Sequence, residues 1–164
     1  YLGNKIVAKA DSLNFSKPVA IGLMISIGIG LHNFGEGLAI GAAVGIGSIA
    51  FSTFLIVGFA LHNTTEGIAI AAPMSRGKLM LGKLAIMGMI AGTPAIFGAW
   101  IGGFAYSPFT SVIFLAIGAG AIFQVILVLM KWIQKENDGN LSTLSVVSGF
   151  AIGMLVMYLT SILV

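Results

Sequence analysis

Between Pro18 and Ser75 the chain has no lysine, arginine or aspartate, and only four ionisable side chains interrupt it: His32, Glu36, His62 and Glu66. So long an apolar stretch does not suit a soluble domain, in which about a quarter of residues are charged; here 58% are hydrophobic and 8% charged. With a mean hydropathy of +1.07, the sequence predicts an integral membrane protein. Apolar segments fall at about 18–45, 49–73, 83–105, 108–130 and 142–164. Each is near the ~20 residues with which an α-helix crosses ~30 Å of hydrocarbon. Continuous runs of this kind exclude a porin-like barrel, whose strands alternate in segments of roughly ten residues. The expected fold class is therefore all-α, a polytopic membrane bundle with five transmembrane helices.

The boundaries follow from local chemistry. Pro18 suits a first helical turn, where its missing N–H costs nothing. Gly45-Ile-Gly-Ser48 reads as a tight turn, and Ala72-Pro73 ends the second segment before the basic loop containing Arg76 and Lys78. Tyr106-Ser107-Pro108 and the polar run Lys135 to Asn140 mark the remaining connections. Residues 1–17 mix Lys5, Lys9, Asp11 and Lys17 with polar residues and lack the apolar core of a signal peptide. They read as a cytoplasmic loop segment from a longer polypeptide, ahead of a bundle over 18–164.

If the five segments alternate across the bilayer, all eight lysines and arginines fall on one side. Basic residues in short loops stay in the cytoplasm, so the C-terminus is expected outside. This placement also accounts for the net charge of +3 without nucleic acid. Glycines spaced by four, Gly37-Gly41-Gly45, Gly98-Gly102 and Gly149-Gly153, read as small-residue faces for close helix packing in lipid. Gln124, alone among apolar neighbours, reads as an interhelical hydrogen-bond partner.

The four ionisable residues form one phrase written twice, Leu31-His-Asn-x-x-Glu-Gly37 and Leu61-His-Asn-x-x-Glu-Gly67. On a helix, residues four apart share a face, so each helix presents an imidazole and a carboxylate together. An antiparallel pair about the turn near Ile49 brings His32 to the depth of Glu66 and Glu36 to that of His62. That depth is roughly 20–25 Å of helix from the turn at 1.5 Å per residue, within the membrane. Ionisable groups there cost roughly 2.5–3.5 kcal/mol each on insertion scales and call for a functional reason.

Two neutral imidazoles and two carboxylates offset a divalent charge and suit Zn²⁺, with Fe²⁺, Mn²⁺, Co²⁺ and Cd²⁺ also accommodated. Mg²⁺ and Ca²⁺ prefer all-oxygen sites. With no cysteine in the chain, thiolate ligation is excluded. Asn33 and Asn63, at i+3 from Glu36 and Glu66, fit direct ligation, support of the carboxylates, or weak binding of a second ion; support is favoured. A structural reading, in which His and Glu only fix helix register, explains a single pair better than two copies at matched depth. The His-Glu-x-x-His spacing of zinc proteases is absent, and no nucleophile accompanies the motif, so an enzyme is not expected. Thr64 and Thr65 read as hydroxyls bonded back to the preceding turn.

His32-Asn-Phe-Gly-Glu36-Gly-Leu-Ala-Ile-Gly41 and His62-Asn-Thr-Thr-Glu66-Gly resemble the paired metal motifs of the ZIP (Zrt/Irt-like) divalent metal transporters, over nearly the whole chain. Gly98-Ala-Trp-Ile-Gly102 and Ala116 to Ile122 are similar to patterns further along the same family. The resemblance implies helices four to eight of an eight-helix protein, with the missing N-terminal helices as partners and a homodimer left open. It also implies import of a divalent metal, most readily zinc, towards the cytosol across the plasma membrane. The sequence departs from the family at Gly35 and Thr65, where proline is frequent, at Asn63, where some members have Asp, and at Ala95, where two-metal members carry a carboxylate. These departures imply one strong site rather than two. The alternative from another class is a membrane metal sensor or structural metalloprotein that binds without transporting.

Overall fold

The computed structural model describes residues 16–75, 81–105 and 107–162. Most of the expected 1–17 segment, Arg76 and Lys78 of the basic loop, Tyr106 and the last two residues lie outside the described residues. Among the described residues all regular structure is helical: α1 (Lys17–Gly45), α2 (Ile49–Ala71), α3 (Leu81–Phe104), α4 (Pro108–Glu136) and α5 (Leu144–Ile162), with a 3₁₀ turn at Ala72–Met74 after α2. All five are long and apolar enough to cross a membrane, counting α2 with its 3₁₀ extension. The chain is an integral membrane protein, with five such helices among the described residues.

The helix ends have identifiable causes. Pro18 lies in the first turn of α1 and Pro108 in that of α4, each after a serine in an extended conformation. The α1–α2 turn is a Schellman closure: Ser48 N–H donates to Ala43 O at 2.9 Å and Gly47 N–H to Val44 O at 2.9 Å, with Gly47 at φ +75°. Pro73 converts the end of α2 into the 3₁₀ turn. α4 runs six residues beyond the apolar segment, because Lys131, Lys135 and Glu136 continue the helix until the positive φ of Asp138 and Gly139 stops it. α5 starts two residues later than the apolar pattern, since Ser142 N–H is held by Asn140 Oδ1 at 2.8 Å in the preceding loop.

α1 is the central helix and packs against α3, α4 and α2. Its contacts with α3 climb together along both chains: Gly30 faces Ile90, Gly37 faces Ala95, Gly41 faces Ala99 and Gly45 faces Gly103, so the two helices run parallel. The approach is backbone to backbone. A Cβ at Gly37 or Gly41 would overlap the carbonyl of Ala95 or Ala99, and one at Gly98 or Gly102 the carbonyl of Phe34 or Leu38. Small residues are what permit this proximity in lipid. Against α4 the order reverses, with Gly28 facing Val125, His32 facing Gly118 and Gly35 facing Leu115, an antiparallel pair.

Val19, Ile25 and Ile29 of α1, Ile70 and Met74 after the α2 motif, Met87 and Ala91 of α3, and Val125 form the packed apolar core. It occupies the half of the bundle nearer the start of α1. α5 is peripheral: it touches chiefly α2, and Thr160 is its single buried residue among those described.

Two packing expectations are corrected. A Cβ at Gly149 or Gly153 would meet no atom, so this four-residue spacing serves no contact within the described residues. Gln124 is exposed and hydrogen-bonds to no other helix there, because the α4 face turned towards α1 is set by Gly118 and Val125, and Gln124 points about 100° round the helix from its neighbour Val125.

Candidate metal centre

Both motif copies lie within unbroken helix, so the i, i+4 spacing puts each His and Glu on one face. Gly35 does not interrupt α1. The short Schellman turn folds α2 back along α1, and the donors meet across the pair. Glu36 Oε1 lies 2.5 Å from His62 Nε2 and 3.4 Å from His32 Nε2, while His32 Nε2 is 4.0 Å from Glu66 Oε1. The imidazole centroids are 6.4 Å apart. Donor atoms of His32, Glu36 and His62 all fall within 4.8 Å of one another, so that side-chain shifts of about 1 Å would gather them round one cation at the ~2.0–2.2 Å bond lengths of zinc.

Glu36 is buried at 6% exposure, His62 and Glu66 are at 14%, and His32 at 30%. The more open side of His32 faces a cavity of about 510 Å³ that also receives Glu36, His62 and Glu66. Its walls are mainly apolar: Phe59 of α2, Leu115, Ala119 and Ile122 of α4, and Met157 of α5. Sequence reasoning did not anticipate the α4 and α5 walls, which carry no motif. Phe59 also packs edge-on to the His62 ring at 5.4 Å, limiting its rotation.

The asparagines are placed differently from the other four. Asn33 is 3% exposed, and its Nδ2 donates to Ala91 O of α3 at 3.1 Å. That carbonyl is next to Ile90 O, which Pro94, lacking an N–H, leaves without its helical donor, so the contact falls where the hydrogen-bond ladder of α3 is disturbed. Asn33 therefore ties the motif to α3, and its amide also adjoins the Glu66 carboxylate. Asn63 is partly buried and lines no cavity with the other donors. Thr64 and Thr65 donate back to Ala60 O at 3.2 Å and His62 O at 2.6 Å.

Three buried oxygens, Glu66 Oε2, Asn33 Oδ1 and Asn63 Oδ1, have no hydrogen-bond partner. Acceptors stranded in this way cost of order 1–3 kcal/mol each and need an explanation. All three are oxygens that only accept, and all belong to the repeated motif. Of the three, Glu66 Oε2 belongs to a side chain that lines the cavity with the other His/Glu donors, where a cation supplies what it lacks, so the donor chemistry fits a divalent metal.

No protein-family model matches the chain, and comparison with curated proteins and with solved structures gave no match. The functional reading therefore rests on the site itself.

Proposed function

We propose that the chain forms the metal-binding part of a transmembrane transporter that moves a divalent transition metal into the cytosol, with zinc as the first candidate substrate and iron or manganese as the next. The observation that carries this reading is the convergence of two imidazoles and two carboxylates from adjacent membrane-spanning helices on one half-open cavity. Ionisable groups at such depth mark ion pathways far more often than structural contacts. The paired motifs' resemblance to the ZIP family supports the same conclusion, and under it α1 to α5 correspond to the last five of eight helices.

In this mechanism His32, Glu36, His62 and Glu66 replace part of the ion's water shell. The two carboxylates neutralise its charge, which offsets the loss of hydration in a low-dielectric surrounding. Neutral imidazoles add nitrogen donors that oxygen-preferring Mg²⁺ and Ca²⁺ do not favour. The set has to bind well enough to admit the ion and weakly enough to release it, and protonation of a carboxylate gives one route to release. Asn33, held on Ala91, positions α1 and does not donate to the ion.

The test is uptake into proteoliposomes containing the complete polypeptide with its expected upstream helices, over a panel of divalent ions. Saturable uptake that disappears in His32→Ala/Glu66→Ala supports transport and identifies the ion. Tight binding with no uptake in the unaltered protein moves the reading to a sensor or structural metalloprotein.

A further inference from the structure

A second cavity, of about 280 Å³, lies between α2 and α5 and is lined by Gly58, Phe59, His62, Met157, Thr160 and Ser161. Phe59, His62 and Met157 line the central cavity as well. Phe59 and Met157, the latter 45% exposed, therefore line both the crevice and the cavity that holds the His/Glu donors, as does His62. Gly58, Thr160 and Ser161 lie on the side of these residues nearer the Gly47 turn and the C-terminal end of α5. On the other side of the donors, towards the start of α1, Ile25, Ile29, Ile70, Met74 and Met87 belong to the packed core.

The hydroxyls of the crevice are oriented by the helix. Thr160 Oγ1 donates to Met157 O at 2.9 Å and Ser161 Oγ to Tyr158 O at 2.8 Å. With each hydrogen committed to a carbonyl, the lone pairs are what remain to face a visitor. Lone pairs favour a cation or its water over an anion. Thr160 is also the one buried residue among those described in α5, while Met157 and Ser161 beside it are exposed.

We infer that the α2–α5 crevice is the ion's path between the His/Glu donors and the end of the bundle carrying the Gly47 turn, with Met157 and Phe59 as its narrow point and Thr160 and Ser161 as its polar mouth. This rests on the metal-transport reading above and adds to it a route and the residues that control entry. Methionine suits the narrow point because its unbranched side chain changes rotamer readily and its sulfur tolerates a passing soft cation. The opposite end of the site is closed by apolar packing in this conformation.

These 164 residues contain no cysteine, so with any upstream cysteine replaced by serine the path is directly testable. Thr160→Cys, Met157→Cys and, as a control on the exposed part of α5, Phe150→Cys are each placed in the complete polypeptide in sealed proteoliposomes. They are then treated with a membrane-impermeant quaternary-ammonium methanethiosulfonate. Thr160→Cys and Met157→Cys are expected to react and Phe150→Cys to stay inert. Zinc at ten times its Kd is expected to slow Met157→Cys about tenfold, the factor by which occupancy depletes the free site. Equal rates at all three positions, or no zinc protection in a protein that binds zinc, overturn the path.

Met157→Trp gives an independent measurement. Filling the narrow point is expected to abolish zinc uptake while zinc binding in detergent persists, whereas Glu36→Gln loses both. Uptake by Met157→Trp at the unaltered rate overturns the path and leaves the transport reading intact. An unaltered protein that neither binds nor takes up zinc, or any other ion of the panel, overturns the transport reading and the path with it.

Discussion

Glu36 Oε1 stands between both imidazoles, closer to His62 than to its own helix neighbour His32. Replacing it with the neutral amide in Glu36→Gln keeps the shape and removes the charge. Zinc affinity is expected to fall at least about 100-fold, or ~2.7 kcal/mol, in titration calorimetry. Asn33→Ala should behave in the opposite sense. It removes the donor to Ala91 O and is expected to lower thermal stability by about 1 kcal/mol while changing zinc affinity by less than about tenfold. A loss of affinity as large as that of Glu36→Gln would make Asn33 a ligand instead.

Among the helices, the contact of α1 with α3 makes the sharpest demand on sequence. Leucine at Gly37 or Gly41 would place a side chain where the Ala95 and Ala99 carbonyls now lie, so Gly37→Leu is expected to destabilise the bundle by about 1–3 kcal/mol or more in detergent melts. Gly92→Ala and Gly149→Ala meet no atom and are expected to be neutral or to stabilise their helices by up to about 1 kcal/mol. The sequence could not separate these glycines, because every helix here is apolar all round and four-residue spacing recurs in α5 without a partner. The pairing across α1 and α2 was legible for the reverse reason: a short glycine turn and two identical phrases fix a local antiparallel geometry. What α3 and α4 add, the Ala91 anchor for Asn33 and the Leu115 to Ile122 wall, depends on contacts distant in sequence that no periodicity announces.

For the molecule as a whole, the described lysines Lys17, Lys83, Lys131 and Lys135 sit at the start of α1, the start of α3 and the end of α4. Retention of basic residues in the cytoplasm predicts that Ser48→Cys is labelled from outside intact cells and Asn140→Cys is not. Ligand linkage predicts that zinc at 100 times its Kd stabilises the bundle by about 2.7 kcal/mol, and that a chelator or Glu36→Gln removes this gain. The close glycine seam has a mechanical corollary. Backbone apposition along the seam favours α1 and α3 moving together, as one rod that carries His32 and Glu36. His62 and Glu66 ride on α2, whose hold on that rod is less extensive. Under the proposed function, a motion that parts rod from neighbour would withdraw half of the donors in one step, so that the ion is let go as a single event rather than ligand by ligand.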